Sequence, residues 1–221
     1  MILGIDTSLG TAVGIADASG AVLAEAASDD PRGHAEVIGT LIEQALADAG
    51  IDASQITHAA AGMGPGPFTG LRVGIAAARA FALGGAHGRG IPVIPIASHD
   101  VAALDEVDAG GTAPFAIVTD ARRREEAVTV FDIGDAEPAR RAPTYLQPRG
   151  GDVPARRVEV TRISGGTLAR IAAARIARGT PDPDGFGEGA EPLYLRAPDV
   201  TVPQPRRTPA STPTATPEGA V

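Results

Sequence analysis

The same short pattern occurs twice in the sequence, and this recurrence constrains the fold more than any other feature. An apolar run over residues 2–5, typical of a buried strand, ends at Asp6, and a second run over residues 115–119 ends at Asp120. In both places a turn follows, and a further strand begins after it. These second strands are predicted over 12–16 and 127–131. Two copies of strand, aspartate, turn and strand predict two similar lobes derived from one ancestral unit.

Three segments repeat their apolar residues at helical spacing. Residues 34–49 form the clearest of these helices, and Gly50 follows as the residue after its end. A second helix is predicted over 70–84, with Thr69 as its N-cap and the glycine pair at 84 and 85 as its stop. A third helix covers 167–178. Additional strands are predicted over 21–27, 56–62, 91–96 and 158–160, and a short helix over 98–104.

Composition excludes several classes of function. The 221 residues include no cysteine, so the chain has no disulfide framework, no thiolate nucleophile and no cysteine zinc site. Lysine is also absent, which removes the phosphate-binding lysine of a P-loop and any Schiff-base chemistry. The formal net charge of -8 argues against a chain that grips nucleic acid alone. Any RNA contact is therefore expected to be shared with a partner.

Nothing in the sequence predicts a membrane protein or a secreted protein. The longest apolar stretch, around residues 75–83, is well below the ~20 residues that span a bilayer. Met1 leads directly into the first strand without a basic region or a cleavage site, so we expect a cytoplasmic protein. From residue 203 onward the chain is mostly proline, threonine and alanine, and we expect a disordered tail over 203–221.

The stretch GMGPGPFTGLRVG, residues 62–74, has two interpretations. Its glycines, together with Arg72, could cradle a phosphate at a helix N-terminus. Two prolines remove amides from the loop and no lysine follows the last glycine, so a tight strand-to-helix connection is favoured. Gly70 and Gly74 lie one turn apart in the predicted helix, where each costs about 1 kcal/mol relative to alanine. This cost indicates that another backbone packs closely against the helix.

The helix over 34–49 has more apolar surface than one core requires. Its apolar positions form two adjacent stripes, wider than the roughly 100° that covers a single core. The helix is therefore either deeply buried or in contact with a second surface.

Four segments resemble the bacterial TsaB family, the glycoprotease-like, non-catalytic subunit of tRNA threonylcarbamoyladenosine biosynthesis. They are GIDTSLGTAVGIAD at 4–17, GPGPFTGLRVGIAAARAFA at 64–82, DARRREEAVTVFD at 120–132 and PLYLRAPDVTVP at 192–203. The second segment is the most specific of the four. The resemblance implies an α/β fold of the actin, sugar kinase and Hsp70 (ASKHA) type, with two lobes that are each a mixed sheet with helices. The lobes are expected over 1–97 and 98–202.

The resemblance also implies an accessory subunit rather than an enzyme. Such proteins bind the related subunit TsaD and, with the ATPase TsaE, support transfer of a threonylcarbamoyl group to adenosine 37 of tRNA. Helices 34–49 and 70–84 are then expected to form a four-helix interface with TsaD, or to pair with a second copy when the chain is alone. The expected interface residues are Val37, Ile38, Leu41, Ile42, Ala45, Gly70, Leu71, Arg72, Val73, Gly74, Ala77, Ala78 and Phe81. Replacing Gly74 by leucine is expected to spare the fold and abolish this docking.

Nucleotide and metal sites receive less support from the residues. The turn after the first strand resembles the first phosphate loop of nucleotide-binding relatives, and a second aspartate has the matching position in the second lobe. The candidate nucleotide residues are Asp6, Thr7, Ser8, Gly10, Thr11 and Asp120. The chain is expected to require no cofactor of its own, with ATP or ADP at the TsaD interface left open. His34 is followed four positions later by Ile38 rather than by a second histidine, so no metal site is predicted.

Two alternatives stay open. A small-molecule kinase or ATPase of the ASKHA fold would turn over ATP. A metallo-hydrolase would hold a tightly bound metal and would lose its activity on chelation.

Overall fold

A computed structural model of the chain describes residues 1–30, 33–134, 137–186 and 191–195. Within these ranges the chain forms ten strands and four α-helices. The strands are β1 Ile2–Asp6, β2 Thr11–Ala16, β3 Val22–Ser28, β4 His58–Gly62, β5 Val93–Ile96, β6 Phe115–Asp120, β7 Glu125–Asp132, β8 Ala139–Arg140, β9 Tyr145–Pro148 and β10 Arg156–Glu159. The helices are α1 His34–Asp48, α2 Phe68–Gly88, α3 Ser98–Asp108 and α4 Gly165–Ala177. The predicted tail over 203–221 lies outside the described residues.

The first sheet has the strand order β3-β2-β1-β4-β5. Its central strand β1 pairs antiparallel with β2 and parallel with β4. Because side chains alternate along a strand, Leu3 and Ile5 face α1 and α2, whereas Ile2 faces the opposite side and packs with α4. Both faces of the sheet are therefore covered by helices, which explains why β1 and β2 are buried along their whole length.

The second sheet repeats the central arrangement of the first. Its order is β10-β6-β7-β8, with β9 also paired to β7. The strand β6 pairs antiparallel with β7 and parallel with β10, as β1 does with β2 and β4. The predicted recurrence is confirmed, and with it the two-lobed α/β architecture of mixed sheets and helices.

The helix α4 follows the second sheet in the chain but packs on the first. Its first residues, Gly165 and Gly166, lie so close to β1 and β2 that a Cβ atom at Gly4 or Gly14 would overlap their backbone. The same core contains the stacked rings of Phe115 and Phe131 from the second sheet, whose centroids are 5.8 Å apart. A division at residue 97 therefore separates the two sheets in sequence, while α4 joins them in space.

The bounds of α2 differ from the prediction at both ends. The helix begins at Phe68, one residue before the predicted cap, and it continues through the glycine pair at 84 and 85. A Cβ atom at Gly85 would come within 3.0 Å of Ile91, and the Ile91 amide donates to the carbonyl of Ala82 at 2.9 Å. The returning chain thus covers the last turns and stabilises glycines that would otherwise end the helix. The strands β8 and β9 were not predicted.

A buried histidine fixes α3 to the second sheet. His99 Nδ1 lies 2.7 Å from the Thr129 hydroxyl, and Nε2 lies 2.9 Å from the Thr119 hydroxyl. Burial, with a smaller contribution from the charge of Arg140, lowers the pKa of His99 to about 3. The imidazole is therefore neutral at physiological pH and acts as a structural hydrogen-bonding group.

Candidate partner surface and interlobe cleft

The glycine-rich stretch 62–74 encloses the turn that follows β1. The Thr7 hydroxyl donates to the carbonyl of Gly70 at 2.7 Å and accepts from the amide of Gly74 at 3.1 Å. These two backbone groups would otherwise bond each other, so the hydroxyl is inserted into the hydrogen-bond ladder of α2. The first turns of α2 are therefore joined directly to the β1–β2 turn of the same chain.

The spacing of the glycines reflects this close contact. A Cβ atom at Gly62 would overlap the Asp6 carboxylate, and one at Gly74 would overlap the Thr7 hydroxyl. A Cβ atom at Gly66 would lie 2.8 Å from Ser8 Cα. The sequence correctly indicated a close approach, but the neighbour is the chain's own turn and not the backbone of a partner. The expectation that leucine at position 74 would spare the fold is wrong for this reason.

The candidate nucleotide residues bond mainly to one another and to α1, α2 and α3. Asp6 accepts from the Ser8 amide and hydroxyl at 2.7 and 2.5 Å, and from the Ser98 hydroxyl at 2.5 Å. Burial raises the pKa of Asp6, and the hydrogen bonds from Ser8 and Ser98 oppose that shift. Thr11 Oγ1 lies 2.8 Å from Nδ1 of His34 at the start of α1. Gly10 has a φ of 103°, which explains the glycine in this turn.

A cleft of about 680 Å³ lies beside this turn, between the two sheets. Its described lining includes six carboxylates and one arginine; two of the carboxylates pair with Arg156 and Arg157 outside the lining, and the lining keeps an excess of carboxylates. The carboxylates are those of Asp6, Glu25, Asp29, Asp105, Glu106 and Glu159, and the arginine is Arg162. Asp120 lies outside this lining, so the structure does not bring the two candidate aspartates together in the cleft.

The N-terminus of α4, which could otherwise attract an anion, also borders the cleft. Glu25 Oε1 accepts from the Gly165 amide at 2.8 Å, and Ser164 caps the helix by accepting from the Thr167 amide at 2.9 Å. A carboxylate of the chain thus occupies the position that a phosphate oxygen would take at this helix end.

The predicted interface residues divide into three groups. Seven of them are buried in the chain's own core and cannot present side chains to a partner: Ile38, Leu41, Ala45, Gly70, Leu71, Gly74 and Ala78. Five are half-buried at the edges of the helices: Val37, Ile42, Val73, Ala77 and Phe81. Only Arg72 is exposed among the thirteen. Most of the residues predicted for the interface therefore lie on the faces of α1 and α2 that pack on the first sheet.

The exposed side of α2 consists of a different set of residues. We name Arg72, Ala76, Ala80 and Leu83 the outer stripe, since they are exposed and recur at three- or four-residue spacing. Leu83 is 75% exposed, the largest value among the exposed large hydrophobic residues described. The outer stripe could have been predicted from the sequence, because small and apolar residues continue on the side of α2 opposite the buried positions.

The segment over 191–195 contacts the start of α2. The Leu193 amide donates to the carbonyl of Met63 at 2.8 Å, and Arg72 Nε donates to the Tyr194 hydroxyl at 2.7 Å. The Tyr194 and Phe68 ring centroids are 4.7 Å apart, and the Arg72 guanidinium lies 4.0 Å from the Phe68 centroid. These contacts fix Arg72 at one end of the outer stripe.

The described residues contain neither a metal-binding cluster nor a membrane-spanning helix. Within the described ranges, no three histidine, cysteine, aspartate or glutamate residues form a group that could hold a metal ion. None of the helices in those ranges is long and apolar enough to cross a membrane.

Comparison with known protein families gives a match over more than half of the chain. Residues 15–140 match the family model described as TsaD, tRNA N6-adenosine threonylcarbamoyltransferase. The chain belongs to this family. The matched residues extend from the end of β2 to β8, so they include α1, α2, α3 and the β6–β7 hairpin but not β1.

Individual relatives align over parts of the chain. An uncharacterized protein of Mycobacterium leprae is 39% identical over 128 residues, which is 57% of this chain and 33% of the relative. A tRNA N6-adenosine threonylcarbamoyltransferase of Streptococcus pneumoniae is 49% identical over 77 residues, which is 35% of this chain and 21% of the relative. The aligned segments thus span about a third of the first relative and a fifth of the second.

A solved structure shares the fold over nearly all of its length. YeaZ from Pseudomonas aeruginosa superposes with a TM-score of 0.72 and 23% identity, over 88% of this chain and 99% of YeaZ. YeaZ is the TsaB protein. This likeness confirms the fold implied by the four sequence segments, and the match to the TsaD family model supports the resemblance.

Proposed function

We propose that this chain is a non-catalytic partner and activator of TsaD in threonylcarbamoyl transfer to adenosine 37 of tRNA. In this proposal the chain acts in the cytoplasm, in an assembly with TsaD, the ATPase TsaE and tRNA. Its contribution is docking, in which the paired helices α1 and α2 pack against helices of TsaD and order the active site there. Membership of the TsaD family and the YeaZ-like fold support this role.

The outer stripe of α2 is the observation that carries the proposal. Ala76 and Ala80 are exposed and small, so another helix could approach to the 8–10 Å that separates packed helices. Leu83, which is 75% exposed, would supply apolar area worth about 25 cal/mol per Å² once it is buried. The half-buried residues at the edges of α1 and α2 would then become the border of the interface.

The test is the mass in solution of the chain mixed with TsaD. Wild type is expected to form a complex, and the A76R/A80R variant is expected to weaken it at least about 100-fold, because two charges would be buried without partners. Both positions are exposed, so the fold should be retained. Ala177→Arg, at the exposed last residue of α4, is the matched control and should bind TsaD normally.

Two outcomes would contradict the proposal: absence of a complex with the wild-type chain, or undiminished binding by A76R/A80R. The same measurement on the chain alone reports self-association. If the free chain dimerises through the outer stripe, the double variant should be monomeric and the Ala177→Arg control should remain a dimer.

A further inference from the structure

The hairpin between β6 and β7 has an unusual backbone at its tip. Arg122, Arg123 and Arg124 have φ values of 63°, 52° and 61°, and all three are exposed. Left-handed backbone costs an L-residue roughly 1–2 kcal/mol, and glycine would avoid this cost. Apart from these three, His87 is the only non-glycine residue with positive φ in the described part of the chain. An exposed turn gains no core packing from arginine, so the strained sequence points to function.

The surrounding residues hold this turn in place. The Ala121 amide donates to the carbonyl of Glu125 at 3.0 Å, and the Glu125 amide donates to the carbonyl of Arg122 at 2.9 Å. Asp120 accepts from the Arg122 amide at 3.0 Å and from Arg149 Nη2 at 2.6 Å, while the Arg149 amide donates to the carbonyl of Arg124 at 2.8 Å. Asp120, which the sequence offered as a candidate nucleotide residue, therefore stabilises the conformation of the hairpin tip.

The tip concentrates positive charge on an acidic protein. Three consecutive arginines and Arg149 stand beside the carboxylates of Asp120 and Glu125, a local excess of positive charge, whereas the whole chain carries a formal charge of -8. A polyanion would be repelled by most of the surface and attracted to this tip. Guanidinium groups bind phosphate oxygens in a planar, two-point geometry, and a row of them suits a chain of phosphates better than a single carboxylate.

We propose that Arg122, Arg123 and Arg124 bind the phosphate backbone of RNA. This inference rests on the proposed function, which supplies tRNA as the RNA. Contacts to phosphates position a nucleic acid without reading its sequence, so the tip would orient the tRNA while TsaD acts on its base. The tip is distinct from the outer stripe, so the two contacts can be tested separately.

The experiment measures binding of a fluorescently labelled, unmodified tRNA transcript to the full chain, alone and mixed with TsaD, by fluorescence anisotropy over a range of salt concentrations. R122Q/R123Q/R124Q is expected to raise Kd at least about tenfold at ~0.1 M salt and to reduce the slope of log K against log salt by about 2. R122G/R123G/R124G removes the same charge while it relieves the left-handed strain, so it should fold at least as well and lose the same RNA affinity. R89Q/R141Q/R156Q removes three exposed arginines elsewhere and should bind RNA nearly as wild type does.

Each result distinguishes between the possibilities. Loss of RNA binding by both tip variants, with TsaD assembly retained, would support the inference. Wild-type RNA affinity in the tip variants, an equal loss in the control, or no measurable RNA binding by the wild-type chain either alone or mixed with TsaD would overturn it. Loss of TsaD assembly with RNA binding retained would also overturn it, by assigning the tip to a protein contact. If the wild-type chain binds RNA through the tip but never assembles with TsaD, the proposed function fails while the inference stands.

Discussion

At the scale of single residues, Thr7 explains the glycine pattern of α2. Its hydroxyl occupies the space between the Gly70 carbonyl and the Gly74 amide, and no side chain fits at position 74 beside it. Gly39 in α1 provides a contrast, because a Cβ atom there would meet nothing within 4 Å. Glycine is therefore required by close packing at position 74 in α2, whereas the packing at position 39 in α1 leaves room for a side chain.

Gly74→Ala and Gly39→Ala should change stability in opposite directions. The new methyl group at position 74 would overlap the Thr7 hydroxyl, so we expect the free energy of unfolding to fall by about 1–3 kcal/mol. The methyl group at position 39 would enter open space, and it would reduce the backbone entropy of the unfolded chain. We therefore expect the free energy of unfolding to rise by roughly 0.5–1 kcal/mol. Urea denaturation of both variants checks the pair. Equal effects would mean that Thr7 does not restrict α2.

At the scale of elements, a buried arginine links helices and loops that are far apart in sequence. Arg175 in α4 is 4% exposed, and its Nη2 lies 3.1 Å from Asp100 in α3 and 2.9 Å from Glu137. Its Nη1 lies 3.3 Å from Asp184, and Arg140 in β8 bonds Asp100 through Nε at 2.6 Å. Burial raises the pKa of Asp100 even beside two arginines. The network therefore stabilises the fold only while its charges remain paired.

Arg175→Met should destabilise the chain far more than Arg141→Met. The first change removes a partner from the buried Asp100 and from the partly buried Glu137 and Asp184, and we expect the free energy of unfolding to fall by roughly 3 kcal/mol. Arg141 pairs with Asp132 at 2.7 Å, but both side chains are 45% exposed, so its loss should cost less than about 1 kcal/mol. Thermal and chemical unfolding would measure both. A small effect at Arg175 would show that Arg140 alone satisfies Asp100.

At the scale of the whole molecule, the cleft between the two sheets is lined by an excess of carboxylates. Its described lining contains six carboxylates and a single arginine, and Glu25 already occupies the N-terminus of α4. A polyphosphate would have to enter this negative potential without a lysine anywhere in the chain. These features disfavour the kinase or ATPase alternative for the isolated chain.

Calorimetric titration of the chain alone with Mg²⁺-ATP should show no saturable binding at ATP concentrations below about 1 mM. This corresponds to a binding free energy smaller in magnitude than roughly 4 kcal/mol. The physical reason is repulsion by the lining, so removal of charge should strengthen any residual binding. D29N/E159Q tests this reason, since both residues are exposed at the edge of the cleft. Micromolar binding by the wild-type chain would contradict the electrostatic argument and restore the kinase alternative.

Local patterns in the sequence were sufficient to predict most of the elements. The repeated strand, aspartate and turn specified both hairpins, and the helical spacing of apolar residues specified α1, α2 and α4. The element ends were predicted less well, as at Gly84 and Gly85, where a distant residue, Ile91, covers the helix. Short strands such as β8 carry too few residues for a period to appear.

What the sequence by itself determined is which positions are apolar, which are small and where the chain turns, because these properties depend on neighbours within a few residues. Only the tertiary structure decided what covers each face. Gly70 and Gly74 required a close neighbour, but folding brought Thr7 from the same chain rather than a helix from a partner. The faces predicted for docking were taken by the first sheet, and the outer stripe was left exposed, since packing depends on contacts between residues that are distant along the chain.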